Sequence, residues 1–199
     1  MSQPHFALSI ETAPTAAAIT TADAKTHLRV DISEDDSYID LLVTAATTKL
    51  EVDTGLSLIT QTWNLKLDHW PTGVCEPIKM PKAPLQSVVS ITYTDENGDV
   101  QTMDAADYRV DGDSFPARIT PAFNVSWPTI RHITGSITIQ FVCGYGAAGS
   151  SIEQDLIHAL KMLIGHWYEN RESVVIGTIT SSVPQAYDSL IEPHKLWNF

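Results

Sequence analysis

Residues Ser150 to Arg171, S-S-I-E-Q-D-L-I-H-A-L-K-M-L-I-G-H-W-Y-E-N-R, hold one helical period for longer than any other part of the chain. Ile152, Leu156, Leu160, Leu163 and Trp167 recur in steps of four and three, while Glu153, Gln154, Lys161 and Glu169 fall between them. That spacing predicts a helix over 152–171 with a single buried stripe. Ser150 can accept from first-turn amides and Glu153 can reach back to it, a capping box with an acid at the positive end of the helix dipole; Arg171 stands at the negative end. At ~1.5 Å per residue the helix is about 30 Å long, enough to back a sheet. The rest of the chain is expected to pack around it.

A chain of 199 residues with 43% hydrophobic content can bury a core without covalent staples. It lacks a run of about 18 apolar residues that would cross a membrane, and M-S-Q-P-H-F lacks the basic-then-apolar pattern of a secretory leader. A soluble protein made in a cytosol is the expectation. Cys75 and Cys143 are far apart and form no C-x-x-C pair, so buried thiols are expected rather than a disulfide or a metal site. The net charge of −12, with only twelve basic residues, excludes a nucleic-acid reader, which needs clustered Lys and Arg against phosphates.

Along the chain, Met1 to Ile19 is rich in Ala, Thr and Pro and reads as a mobile arm (1–19). Thr20 and Asp23 open a short helix, 22–28. Ser33 can cap a second, 34–54, whose stripe is Ile39, Leu42, Ala46 and Leu50, and Gly55 supplies a left-handed C-terminal cap. From Leu58 the period changes to two, through Ile59, Gln61, Trp63, Leu65 and Leu67. Short strands follow near Ile78–Met80 and through S-V-V-S-I-T-Y-T, the latter joined by Asp95-Glu96-Asn97-Gly98-Asp99 into a hairpin. Asp107–Val110, Ala117–Thr120 and Ser136–Val142 complete a β-region over about 58–142. Two helices, some six antiparallel strands and one long helix predict an α+β domain over 20–171, with a separate tail, 172–199.

Gly144-Tyr145-Gly146-Ala147-Ala148-Gly149 is a literal G-x-G-x-x-G between a strand and a helix, and a small-ligand or dinucleotide-binding enzyme domain is the alternative it raises. Against that, the expected cap at Ser150 comes after the third glycine, whereas a phosphate-binding turn has its helix already begun, and the preceding strand carries Thr138 and Gln140. A flexible turn accounts for it better. Asp111-Gly112-Asp113 and Asp95–Asp99 lack the full ligand pattern of a calcium loop and read as solvated turns. His158 and His166 lack the spacing and Glu partner of H-E-x-x-H. No catalytic, cofactor-binding or metal residues are assigned, and no enzyme is expected.

An ordered set of phrases carries a resemblance that none carries alone: Ala24 to Asp31 (A-K-T-H-L-R-V-D), Asp35-Asp36 opening a helix, Gly55 to Trp63 (G-L-S-L-I-T-Q-T-W), Pro84 to Val88 (P-L-Q-S-V), Tyr93 to Gly98, Gly144-Tyr145-Gly146, and Tyr168 to Glu172 (Y-E-N-R-E). From about Ile19 onward the chain resembles the head–tail connector, or adaptor, proteins of tailed phages and gene transfer agents. Relatives often place a proline where this chain has Ser151-Ile152 at the start of the last long helix. The resemblance implies a non-enzymatic virion protein, assembled in the bacterial cytoplasm, with a helical body and an inserted β-region. It implies self-assembly into a ring, typically twelvefold, beneath a portal protein and above stopper or tail proteins. DNA passes through without specific binding, and neither a membrane nor a cofactor is involved. Another virion ring component, a stopper or tail-completion protein, remains the second alternative.

Three expectations join the resemblance to the residues. Subunits of such a ring meet head to tail, since a ring above two copies cannot use a self-complementary patch, and the two long helices are expected to supply much of the contact. A wall that must not grip DNA suits the acidic balance, so some of Glu34, Asp35, Asp36, Asp95, Asp99, Asp111 and Asp113 are expected to line the lumen. In the tail, V-V-I-G-T-I-T-S-S-V reads as extended and the stretch after Pro184 as a short helical turn. Tyr187, Leu190, Ile191, Leu196, Trp197 and Phe199 need cover, from a neighbouring subunit or portal as interaction anchors, or from their own domain.

Overall fold

The computed structural model describes residues 6–71, 76–171 and 185–196. The chain divides into two compact units, one from Met1–Pro14 and Thr60–Gly144, the other from Thr15–Ile59 and Tyr145–Phe199. The first is all β and the second helical, so the α+β expectation holds and the β-region is an insertion between helices.

The β unit has eight strands among the described residues: β1 (Phe6–Thr12), β2 (Gln61–Leu67), β3 (Ile78–Lys79), β4 (Leu85–Thr94), β5 (Val100–Thr102), β6 (Tyr108–Asp111), β7 (Arg118–Pro121) and β8 (Ile137–Cys143). They form a five-stranded antiparallel sheet, β1-β2-β8-β4-β5, and a three-stranded one, β3-β7-β6. Strand β8 sets the core because its alternation is complete: Ile137, Ile139, Phe141 and Cys143 are buried, and Thr138, Gln140 and Val142 on the other face are only partly so. Leu65 and Ile91 lie opposite Ile139 in the two flanking strands and are buried with it. Each such side chain contributes ~1.5–3 kcal/mol on burial. Trp70 stacks on Trp127 with ring centroids 4.5 Å apart and donates Nε1–H to the Pro128 carbonyl at 2.9 Å, which satisfies its polar end inside this core. In the β4–β5 hairpin only Gly98 takes a positive φ, 97°, of the Asn97-Gly98 pair.

The expectation of a mobile arm over 1–19 is corrected. Phe6–Thr12 is an edge strand, with Phe6 opposite Leu67, Leu8 opposite Leu65 and Ile10 opposite Trp63, and Ala18 and Ile19 are buried in the helical unit. The alternation Phe6, Leu8, Ile10 against Ala7, Ser9 and Glu11 was a strand signal, but the hydrogen-bond partner that makes it a strand lies more than fifty residues on. Met1–His5 lie outside the described residues.

The helical unit comprises α1 (Thr21–Leu28), α2 (Asp36–Thr54), α3 (Gln154–Glu169) and α4 (Gln185–Ile191). The capping box of α1 is present: Thr20 Oγ1 accepts from Asp23 N at 3.1 Å, and Asp23 Oδ2 accepts from Thr20 N at 3.3 Å. Gly55, φ 78°, closes α2 with its N–H on the Glu51 carbonyl at 3.0 Å. Two other caps differ from expectation. Helix α2 starts at Asp36 without a side-chain cap from Ser33. Helix α3 starts at Gln154, because Gly149–Ser151 forms a separate 3-10 turn and Ile152 and Glu153 are extended. The tight turn, bonded Ser151 N to Ala148 O at 3.0 Å and Ile152 N to Gly149 O at 3.1 Å, places Ser150 too far from the first turn of α3 to cap it.

Helices α2 and α3 pack on each other, and Ile39, Ala46 and Leu50 of α2 and Leu156, Leu160 and Leu163 of α3 are all buried. Trp167, the last member of the expected stripe, is only partly buried. Helix α3 stops at Glu169, and Arg171 lies beyond it. Its guanidinium donates to Asp35 at 2.9 Å and sits over the Tyr38 and Tyr168 rings at 4.7 and 5.0 Å. Arg171 therefore ties the end of α3 to the start of α2 through charge and cation–π contact.

Candidate functional site

The glycine motif is used for internal packing. Gly144 takes φ 127° and donates its N–H to the Pro84 carbonyl at 2.9 Å as β8 ends. A Cβ at Gly146 would stand 2.4 Å from Ser151 Oγ, and one at Gly149 only 2.0 Å from the Ala18 carbonyl oxygen. The close approaches that glycine permits are thus taken by this chain's own atoms, where a dinucleotide site would give them to a pyrophosphate. Between these glycines, burial pushes the Tyr145 phenol up, reinforced by the neighbouring Glu153 carboxylate, so it stays protonated.

The acidic turns keep their carboxylates for themselves. Asp95 accepts from the amides of Asn97 and Asp99 at 2.9 and 3.0 Å and from Gln101 Nε2 at 2.9 Å. The Gln101 bond is the chief reason its carboxyl lies below the usual range, with the turn amides adding to it. Asp111 is held down by Ser114 Oγ at 2.6 Å and then by Arg118 Nε at 2.9 Å. Asp35 is held down chiefly by the Tyr168 hydroxyl at 2.6 Å and then by Arg171, and Asp36 pairs with Lys25 Nζ at 2.6 Å. Glu34, Asp99 and Asp113 are exposed. Of the seven acids, Glu34, Asp35 and Asp36 lie together at the start of α2, while Asp95 with Asp99 and Asp111 with Asp113 occupy two turns of the β unit.

Cys143 is buried in the β core, and Cys75 lies outside the described residues. His158 is exposed on α3 and His166 partly buried. A cluster that sequence spacing could not signal forms instead from Glu153, Asp155 and His194, whose ligand atoms all lie within 4.8 Å of one another and could hold a metal ion. Its Asp155 is already engaged: Oδ2 lies 2.6 Å from His194 Nε2 and Oδ1 accepts from the Leu156 amide at 2.9 Å. Burial pulls the Asp155 carboxyl up, but these hydrogen bonds outweigh it and hold it below the ordinary range. The cluster works here as a clasp, bringing together residues 39 positions apart.

Among the described residues, two further contacts join that clasp in holding Gln185–Leu196 on its own unit. Tyr187, 1% exposed, donates its hydroxyl to Asp53 at 3.0 Å; burial, reinforced by that hydrogen bond, drives its ionisation far upward. Leu196 donates its amide to the Thr54 carbonyl at 2.7 Å and lays its side chain on Gly55, where a Cβ would come within 3.0 Å. Ile191 is 1% exposed, whereas Leu190 and Leu196 are half-buried. For Tyr187 and Ile191 the cover is this chain's own helical unit, because a tyrosine there buries its ring and keeps a carboxylate acceptor for its hydroxyl. Trp197 and Phe199, and the extended stretch expected over 174–183, lie outside the described residues.

Comparison with known proteins places this arrangement. The chain resembles one from the neck of an empty GTA particle computed with C6 symmetry, at 27% identity and TM-score 0.79, with 97% of each chain covered. It resembles another from the neck of a native GTA particle computed with C12 symmetry, at 27% identity and TM-score 0.75, again over 97% of each. A chain from the virion of a native gene transfer agent shares the fold, at 24% identity, TM-score 0.79 and 96% of each chain. No curated protein matches. The model of the phage gp6-like head-tail connector proteins matches residues 18–118 and 128–195, which takes in the helical unit, the inserted β-region and the docked segment. The chain belongs to the phage gp6-like head-tail connector family.

Proposed function

We propose that this chain is a structural subunit of the neck of a phage-like particle, one of a ring of identical copies through which DNA passes. The observation that carries the reading is a family match across both units, together with neck-particle relatives covered end to end. Twelve copies arranged head to tail beneath a portal, with stopper or tail proteins below, is the finer form of the proposal, and the C12 reconstruction of a relative supports the number. In this form the protein does no chemistry. Its work is to hold two larger assemblies in register around a channel.

The net charge of −12 supports a lumen lined by some of Glu34, Asp35, Asp36, Asp95, Asp99, Asp111 and Asp113. Glu34, Asp99 and Asp113 are the best placed, being exposed, because Asp35, Asp36 and Asp111 are neutralised by Arg171, Lys25 and Arg118. A wall of this kind repels phosphate and gives no counterion release on contact. The tail residues Leu190, Leu196, Trp197 and Phe199 are proposed as anchors to a neighbouring copy or the portal, with Tyr187 and Ile191 fixing the segment that presents them.

Imaging of assembled particles tests the whole reading, with twelve copies about the channel expected and a twofold-symmetric dimer as the contrary result. Isolated protein is expected to leave duplex DNA unbound at low salt; binding with a steep salt dependence would refute the acidic-lumen part. Removal of residues 197–199 is expected to leave the melting temperature unchanged and to lower incorporation into particles.

A further inference from the structure

Helix α2 presents an outward stripe of uncharged residues on this acidic chain. Leu41 and Val52 are 62% and 73% exposed, and Thr44, Ala45 and Thr48 are exposed between them. These residues fall in steps of three and four, so they form one straight stripe about 17 Å long. The threonines make no demand on a partner: Thr44 Oγ1 donates to the Asp40 carbonyl at 3.0 Å and Thr48 Oγ1 to the Thr44 carbonyl at 3.0 Å. The charged residues at its margins are engaged within the chain: Asp40 accepts from the Thr21 hydroxyl, Glu51 accepts from the Leu58 amide at 2.8 Å, and Lys49 donates to Asp53 at 2.6 Å. The result is an uncharged, methyl-rich surface on a rigid element, flat enough for close approach between its two large ends.

We infer that this stripe of α2 is a packing surface for a second copy of the chain, the centre of the lateral contact in the assembled ring. The inference rests on the ring reading above and adds the surface by which copies meet. Two considerations name the occupant. Each copy carries −12, so copies approach with least repulsion across a surface without net charge, and relatives that share 97% of their length with this chain come from necks with six- and twelve-fold symmetry. A strip about 17 Å by 10 Å covers far less than the ~800 Å² per partner of a stable pair. It therefore holds copies together only where a particle aligns them, and it meets a different face of the next copy, as a closed ring requires.

The test is a photo-crosslinking amino acid at position 41, and separately at 52, in the full chain within particles. The expected product has twice the chain mass and maps to a second copy. Crosslinks to another virion protein, or none while other inter-copy crosslinks show the ring intact, would overturn the inference and leave the ring standing. Particles without adjacent copies would overturn both. As a second measurement, the double variant Leu41→Glu with Val52→Glu, exposed positions in the free chain, is expected to melt as the parent does and to enter particles at least about tenfold less, since burying one unpaired charge exceeds the free energy of a tenfold change. Incorporation at the parental level would refute it.

Discussion

Gly149→Ala isolates the packing that the glycine motif serves. The new Cβ would lie 2.0 Å from the Ala18 carbonyl oxygen and 3.0 Å from its carbon, both backbone atoms. An unstrained contact of this kind is longer by more than 1 Å, and no side-chain rotation relieves it. Either Ala18, 2% exposed, or the 3-10 turn Gly149–Ser151 must move, and Ile19 beside it, 5% exposed, moves with the strand of chain that carries it. Overpacking of this sort costs ~1–3 kcal/mol, while the smaller unfolded-state entropy of alanine returns ~0.4–1 kcal/mol. The net is about 1–2 kcal/mol, or roughly 2–8 °C in melting temperature for a chain of this size. Gly112→Ala is the internal control, since its Cβ meets nothing within 4 Å, and it is expected to melt unchanged or slightly higher. Differential scanning calorimetry of the three proteins decides the matter. A Gly149→Ala variant that melts with the parent would show that the turn does not press on Ala18, and the account of the motif as internal packing would fail.

Other outcomes follow from single interactions. Tyr187→Phe removes the hydroxyl that reaches Asp53 at 3.0 Å and is expected to cost about 1.5 kcal/mol, read as a lower denaturant midpoint. The raised Tyr187 ionisation makes this bond fully present below the unfolded tyrosine value near ~10 and lost only as pH rises through the folded one, so the deficit should be constant across neutral pH. Thr20→Ala removes the α1 capping box and is expected to cost ~1 kcal/mol by thermal unfolding, whereas Thr20→Ser should cost little. Asp35 is held below its unfolded value, so its stabilising effect is present above pH ~3.9 and lost as pH falls through the folded value; Asp35→Asn should shallow the acid-unfolding limb below that point, and an unchanged limb would contradict the assignment. His194→Gln is expected to speed amide exchange in Gln185–Leu196 by about fivefold without changing exchange in α2, as loss of ~1 kcal/mol of local clasp implies.

What could be read from the chain alone was whatever depends on neighbours a few residues apart. The three- and four-step stripe of Ile152 to Leu163, the two-step alternation of Ile137 to Cys143, the Thr20–Asp23 box and the Gly55 cap are local rules, and each stands in the structure within a residue or two. The family could be read in the same way, because it is carried by an ordered set of phrases. Contacts between distant positions could not. Strand β1 exists because β2 offers it a hydrogen-bonding edge, and the glycine turn ahead of α3 runs so close to the Ala18 carbonyl that Gly149 has no room for a Cβ. Tyr187 is buried where Asp53 accepts a hydrogen bond from its hydroxyl, and His194 docks where its ring meets Asp155. Local periodicity is written in the order of residues, but the choice between exposure and burial for a tail or an edge depends on which distant surface can satisfy its polar atoms, and only the tertiary structure brings that surface near.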